Sequence, residues 1–419
     1  EYAFSGCSSL TNVKLPISVT SMGYGVFSNC ENLSLIEYDG TMEEWFGIDF
    51  EQSYYGSGIG EADIKIEGEL LSTIGEIELS SKTVKIGNNA FYGCSGLTSI
   101  KLPEGLTSIG ESAFEGCSSL TSVKLPTSLI SIGNDAFYRC SNLPSIELPE
   151  GLKSIGNRAF YDCISLTNIK LPTSVSSIGE SAFEGCSSLT SIKLPTSLSS
   201  ISDSVFSHCS NLISVELPTS LTSIGVYAFK GCSNLISVEL SADVTSIGGG
   251  AFYDCSSLSS IELPPKLESI GDYAFYRCSS WKGVEIPASV SNIGVYAFYG
   301  CGDKLIYRGT VAEWVSINFE VRNDSWSGYS YANPCSYGKN VIIEGNLLSE
   351  LKEVPSEVTH IGKGVFAGNE DLTSIKLPTN LISIGDYAFS GCSSLTSIRI
   401  PDSVTSIGES SFEICSSLT

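Results

Sequence analysis

Cysteine offers the most chemistry in this sequence, and its spacing is regular. Of the fifteen cysteines, those at 94, 117, 140, 163, 186, 209, 232, 255, 278 and 301 follow one another at intervals of 23 residues. Cys7 and Cys30 keep the interval, as do Cys392 and Cys415, and Asn369 stands one interval before Cys392. Cys335 is off the grid. Thiols can form disulfides, hold zinc or act as nucleophiles, and each of these needs a partner. Zinc has none in view: there is no C-x-x-C, and the two histidines are His208 and His360. Thiols stacked in register point the same way rather than at each other, and the coil with Asn369 does without one. The phased cysteines are therefore expected to be reduced, buried and used as small hydrophobes.

Other catalytic constellations are missing. The sequence has no G-x-S-x-G, no phosphate-binding P-loop and no H-E-x-x-H. Gly56-Ser57-Gly58-Ile59-Gly60 lacks the strand-to-helix context of a nucleotide fingerprint. The carboxylate pair Glu43-Glu44 is explained by one side of a short helix. The reading is no enzyme, no catalytic residue, no cofactor and no metal.

The elements that place the cysteines come from the repeat. From Cys117 to Arg139, Val123 and Leu125 alternate with Lys124, the period of a half-buried strand. Pro126 ends it, since proline has no N–H for a ladder. Leu129 to Ile132 is a second short extended piece. Gly133 is expected to turn with positive φ, and Asn134 to Cys140 to make about two helical turns. A single unit cannot bury this set, but stacked units can. About 18 coils of this period fit the chain, an arc on the order of 85 Å long at the strand spacing. The fold class is an α/β repeat solenoid: a right-handed superhelix with a parallel β-sheet on its concave face and short strands or helical turns on its convex side.

Leu97-Thr98-Ser99-Ile100-Lys101-Leu102-Pro103, followed by Ile109-Gly110 and Ala113-Phe114, resembles the BspA-like class of leucine-rich repeats. The resemblance covers nearly the whole chain. It implies a cell-surface or secreted protein of bacteria or some protists, often an adhesin or host-matrix binder. It leaves the ligand open, because proteins sharing this repeat need not share a partner.

Two segments, at about 36–87 and 305–362, leave the pattern, and they match each other. Tyr38-Asp39-Gly40-Thr41 with Glu44-Trp45 parallels Tyr307-Arg308-Gly309-Thr310 with Glu313-Trp314. Each is expected to hold about three variant coils: a strand, a short helix around the tryptophan, a polar excursion and another strand. The excursions run from Gln52 to Ala62 and from Val321 to Lys339; the second carries Trp326, Tyr329, Tyr331, Cys335 and Tyr337. The chain as a whole, 1–419, reads as one solenoid. Both ends stop inside a unit, which reads as a fragment of a longer protein.

Two surface columns could bind. On the outward strand face, the residue between the core Ile and Leu is basic at Lys101, Lys124, Lys170 and Lys193, then acidic at Glu216, Glu239, Glu262 and Glu285. Like charges on adjacent strands repel, and a basic protein segment or a bound cation would relieve this. A second column is aromatic: Tyr273, Tyr276, Tyr296 and Tyr299 cluster in successive coils, with Trp326 in the nearby excursion. The net charge of −23 argues against nucleic acid, whose phosphates need Lys and Arg. No apolar run approaches the roughly 18 residues of a membrane span. The expected function is non-enzymatic recognition or adhesion at the cell surface or outside the cell. The ligand would be a host or matrix protein, with a glycan as an alternative. A carbohydrate-binding or scaffolding region of a larger surface enzyme, or a structural spacer, are the rival readings.

Overall fold

The unit from Cys117 to Arg139 shows how the repeat makes a coil. The computed structural model describes residues 1–50, 62–83, 85–324 and 328–419. In it Ser122–Lys124 is a strand with Val123 buried and its neighbours exposed. A second strand, Ser131–Ile132, buries Ile132. Both pair in parallel with coils 23 residues away, Val123 opposite Ile100 and Ile132 between Ile109 and Ile155. Among the described residues the architecture is a parallel-strand solenoid of about 16 turns with few helices.

The coils fall into two compact units, residues 1–198 with 204–215 and residues 199–203 with 216–419. Each has a core of stacked phenylalanines. In the first, Phe91, Phe114, Phe137, Phe160 and Phe183 stack with ring centroids 4.9, 5.2, 5.3 and 5.4 Å apart. In the second, Phe229, Phe252, Phe275 and Phe298 stack at 5.3, 5.3 and 5.6 Å. Each such pair contributes roughly 0.5–1.5 kcal/mol beyond its buried area. In the second unit the row of second strands runs through six members, from Ser200–Ile201 to Asn318–Phe319.

The segment from Asn134 to Cys140 is not helical; it is a run of turns. The backbone explains why. Asp135, Phe137 and Arg139 donate their N–H groups to Asn157, Ala159 and Tyr161 of the next coil, each at 2.8 Å. Between them, Tyr138 and Cys140 close local turns on Asp135 and Phe137 at 3.0 and 3.1 Å. A helix would keep all these bonds within the segment. Here alternate donors leave it, so the third side of each coil is hydrogen-bonded to its neighbour as well as to itself.

The expected role of Gly133 is also corrected. The positive φ falls on Asp135 (52°) and Arg139 (57°), not on the glycine. A Cβ on Gly133 would lie 2.8 Å from the backbone of Gly110 and Glu111. The glycine is there because consecutive coils approach too closely for a side chain.

Each variant segment has three parallel members along the first strand row but two along the second. Along the second strand row, Met22 pairs with Phe50, and Gly87 donates to Phe46 at 2.8 Å before Ile86 bridges to Ile109. In the second unit, Ile293 pairs with Phe319, and Gly362 donates to Val315 at 2.7 Å before Ile361 pairs with Ile384. In the first row, Asp63–Ile66 and Asn340–Ile343 stack in parallel on Leu35–Tyr38 and Lys304–Tyr307, and the chain then folds back in antiparallel hairpins with Glu69–Leu70 and Asn346–Leu347. About 18 coils thus become about 16. The expected short helices are α1 (Met42–Phe46) and α2 (Val311–Trp314). Each starts with a capping box, Thr41 with Glu44 and Thr310 with Glu313. Trp45 and Trp314 are fully buried and fill the coil behind the helix.

Candidate recognition surfaces

Most of the groups able to do covalent chemistry are buried. All fifteen cysteines are free thiols, and Cys94 through Cys301 on the grid are buried. Burial pushes the Cys94 thiol up to about 12 and Cys117 well above its ordinary range. Such thiols are poor nucleophiles at neutral pH. Among the described residues no group of three His, Cys, Asp or Glu is placed to hold a metal ion. His208 and His360 are both exposed, and His360 Nδ1 lies 2.8 Å from the Thr359 hydroxyl.

On the strand face of the first unit, Lys101, Lys124, Lys170 and Lys193 are all exposed. The row is partly neutralised. Lys101 pairs with Glu78, and Lys170 with Glu150 at 3.5 Å. Glu147 faces Lys170 in register.

The acidic row lies in the second unit, and Glu216, Glu239, Glu262 and Glu285 are exposed. Val238 pairs with Ile261, which sets the adjoining Glu239 and Glu262 side by side on neighbouring coils. Arg308 holds Glu285 through two contacts, Nε at 2.9 Å and Nη2 at 2.5 Å. Among the described residues Glu239 and Glu262 form no ion pair. The Arg308 pairing was not foreseen; Arg308 belongs to the variant segment and follows the strand Lys304–Tyr307, in which Ile306 is the residue opposite Glu285.

Tyr253, Tyr276 and Tyr299 stack at 4.8 and 5.2 Å, while Tyr273 and Tyr296 lie 5.7 Å apart beside them. Tyr337 closes the cluster against Tyr296 and Tyr299. The Tyr296 hydroxyl donates to Ser330 at 3.1 Å, in the antiparallel hairpin of Val321–Asp324 and Gly328–Tyr331. The stacked rings cover one another's faces, so this surface offers edges and hydroxyls rather than open rings. Trp326 lies outside the described residues.

The sequence matches the profile of the BspA type leucine-rich repeat region, in six copies, over residues 1–55, 71–190, 176–304 and 340–419. The chain belongs to this family. Among solved structures, a leucine-rich repeat protein from Bacteroides ovatus is 26% identical, with a TM-score of 0.51, covering 97% of this chain and 85% of that one. A leucine rich cell surface protein from Faecalibacterium prausnitzii is 26% identical, with a TM-score of 0.41 and coverage of 81% and 90%. The leucine-rich repeat protein of T. pallidum is 35% identical, with a TM-score of 0.34 and coverage of 39% and 72%. Comparison with curated protein sequences finds no match.

In this BspA-type chain the structure also shows a row that the sequence reading passed over. The residue after the close-approach glycine caps the next coil. Asn134 and Asn157 accept from Asn157 and Glu180 N–H, each at 2.9 Å. Asp272, after Gly271, accepts from Val295 at 2.7 Å, and Asp203 caps Val226 at the same distance although Ser202 precedes it. The G-[ND] pairs were visible as a signal. Lys339 was also missed. Its amine is buried, donates to the Cys301 carbonyl at 2.7 Å, and burial lowers its pKa. No helix among the described residues is long and apolar enough to cross a membrane.

Proposed function

We propose that this chain is a non-enzymatic recognition and adhesion protein of the bacterial surface that holds a basic protein ligand on the row Glu216, Glu239, Glu262 and Glu285. The carrying observation is the pair Glu239 and Glu262: exposed, adjacent, and without an ion pair among the described residues. Side-by-side carboxylates repel on neighbouring strands. A cationic partner turns that repulsion into attraction and speeds encounter. Membership of a BspA-type family supports the surface location. The stacked tyrosines are a weaker candidate because their faces are already used.

The test is an array of matrix and host-surface proteins and glycans, followed by the variant with all four glutamates changed to Gln. A protein ligand of basic charge is expected. The variant should bind it at least about tenfold more weakly, and the parent's association should slow with salt, since exposed charges are screened beyond about 8 Å at physiological ionic strength. Parent-like binding by the variant would remove the row from the site.

A further inference from the structure

The ladder of main strands in the second unit is interrupted between Ser260–Ile261 and Gly283–Ile286, which belong to different sheets. The sequence at the break differs from its neighbours in three places. Trp281 stands where the preceding coil has Leu258, and Lys282-Gly283 replaces Ser259-Ser260. Trp281 is buried, with its ring 5.0 Å from Phe275 and 6.2 Å from Phe298. The indole needs more room than a leucine, and the strands above it part. Gly283 adds no side chain to fill the gap: a Cβ there would meet nothing within 4 Å.

A cleft of about 870 Å³ opens over this break. That is within the range of roughly 300–1,000 Å³ for small-ligand sites. Glu262, Glu285, Arg308, Pro265 and Pro287 are among the residues that line it. Arg308 pairs with Glu285 and the Lys282 ammonium donates to the Ser279 carbonyl at 2.6 Å, so Glu262 is the lining carboxylate without an ion pair among the described residues.

We infer that this cleft seats the arginine side chain of a basic protein partner, its methylene stem on the proline rings and its guanidinium on Glu262. The inference rests on the proposed ligand class and names where one residue of it docks. The Glu262 carboxylate, without an ion pair of its own among the described residues, favours a cation, and the proline walls suit a long aliphatic stem. The Arg308–Glu285 pair shows that a guanidinium fits flat against a carboxylate of this same row. The planar fork takes a carboxylate through two bonds, which an ammonium cannot do.

The test uses the whole chain and an acetylated, amidated pentapeptide with one central arginine between glycines, beside its neutral citrulline counterpart. Binding is measured by titration at low salt. The arginine peptide should bind at least tenfold more tightly than the citrulline peptide. Glu262→Gln should weaken it at least fivefold. Trp281→Leu restores the residue type of the preceding coil, should close the cleft, and should weaken binding as much. Glu239→Gln, one coil outside the cleft, should change it less than twofold. No binding, equal binding of the two peptides, or an unchanged affinity in Glu262→Gln would each overturn the assignment. Should Trp281→Leu fail to fold, Glu262→Gln decides alone. A matrix ligand that ignores all four Gln substitutions would sink the acidic-row reading and leave the peptide result standing, so the two failures are distinguishable.

Discussion

The Cys140 thiol donates to the main-chain carbonyl of Phe114, 26 residues earlier, at 3.2 Å. The bond recurs in both units, from Cys117 to Phe91 and from Cys255 to Phe229, each at 3.1 Å. The Phe114 oxygen also accepts the Cys117 N–H at 3.2 Å. The cysteine therefore fills space and ties one coil to the one before it. A purely apolar side chain at that position would supply only the first.

Replacing Cys140 by alanine removes both contributions. Chemical denaturation should show a loss of about 1–2 kcal/mol. Cys7→Ala, at an exposed thiol, should stay within about 0.5 kcal/mol of the parent. An equal effect at both sites would contradict the assigned role.

The buried thiols also set an alkaline limit. Burial raises Cys94 from 9.0 to about 12, so the folded chain holds this proton more tightly than the unfolded one. Its contribution is complete below about pH 9 and is lost as pH rises from there toward 12. Other grid thiols shift the same way. Urea midpoints at pH 7, 9 and 10 should fall steeply over the last step, and Cys94→Ala should make the fall shallower.

On the third side of the first unit, burial raises the carboxyls of Glu111, Glu115 and Asp135, the last despite its bond to Arg158 at 2.9 Å. The folded state favours their protonated forms. Stability should therefore rise as pH falls from 7 toward the ordinary carboxylate range. The check is the urea midpoint at pH 5.5 against pH 7. Glu115→Gln should reduce the difference, and a midpoint that drops on acidification would contradict it.

Gly133→Ala places a Cβ against the neighbouring backbone at 2.8 Å and should cost about 1–3 kcal/mol. Gly283→Ala meets open space and should be neutral or stabilising by up to about 1 kcal/mol. Thermal unfolding of the two variants in parallel separates close approach from simple glycine flexibility.

Tyr276 is stacked on both sides, by Tyr253 and Tyr299. Tyr276→Ala should cost about 1–3 kcal/mol in chemical denaturation. If it changes stability by less than 0.5 kcal/mol while abolishing ligand binding (a cut-off of about the scatter expected for surface substitutions), the tyrosines become the recognition surface in place of the glutamates.

The 23-residue period alone determined much of this protein. It specified a stack of coils, the parallel pairing of like residues and the buried columns of Phe, Leu and Cys. Each of these depends on a residue meeting its own equivalent in the next coil, so one repeat contains the information. The tertiary structure decided what the period does not encode. Ala136-Phe137 fits a helix or a turn equally well, and the choice went to the turn because Asp135, Phe137 and Arg139 donate to the next coil. Gly133 reads as a flexible joint until the distance to Gly110 is known. The variant segments had room for three coils, and the structure gives them three members in the first strand row but two in the second, with a hairpin in between. The charge row looked uniform from Glu216 to Glu285, but Arg308 neutralises one end and Trp281 opens a cleft beside it. These outcomes turn on distances between residues of different coils, and such distances exist only once the chain is stacked.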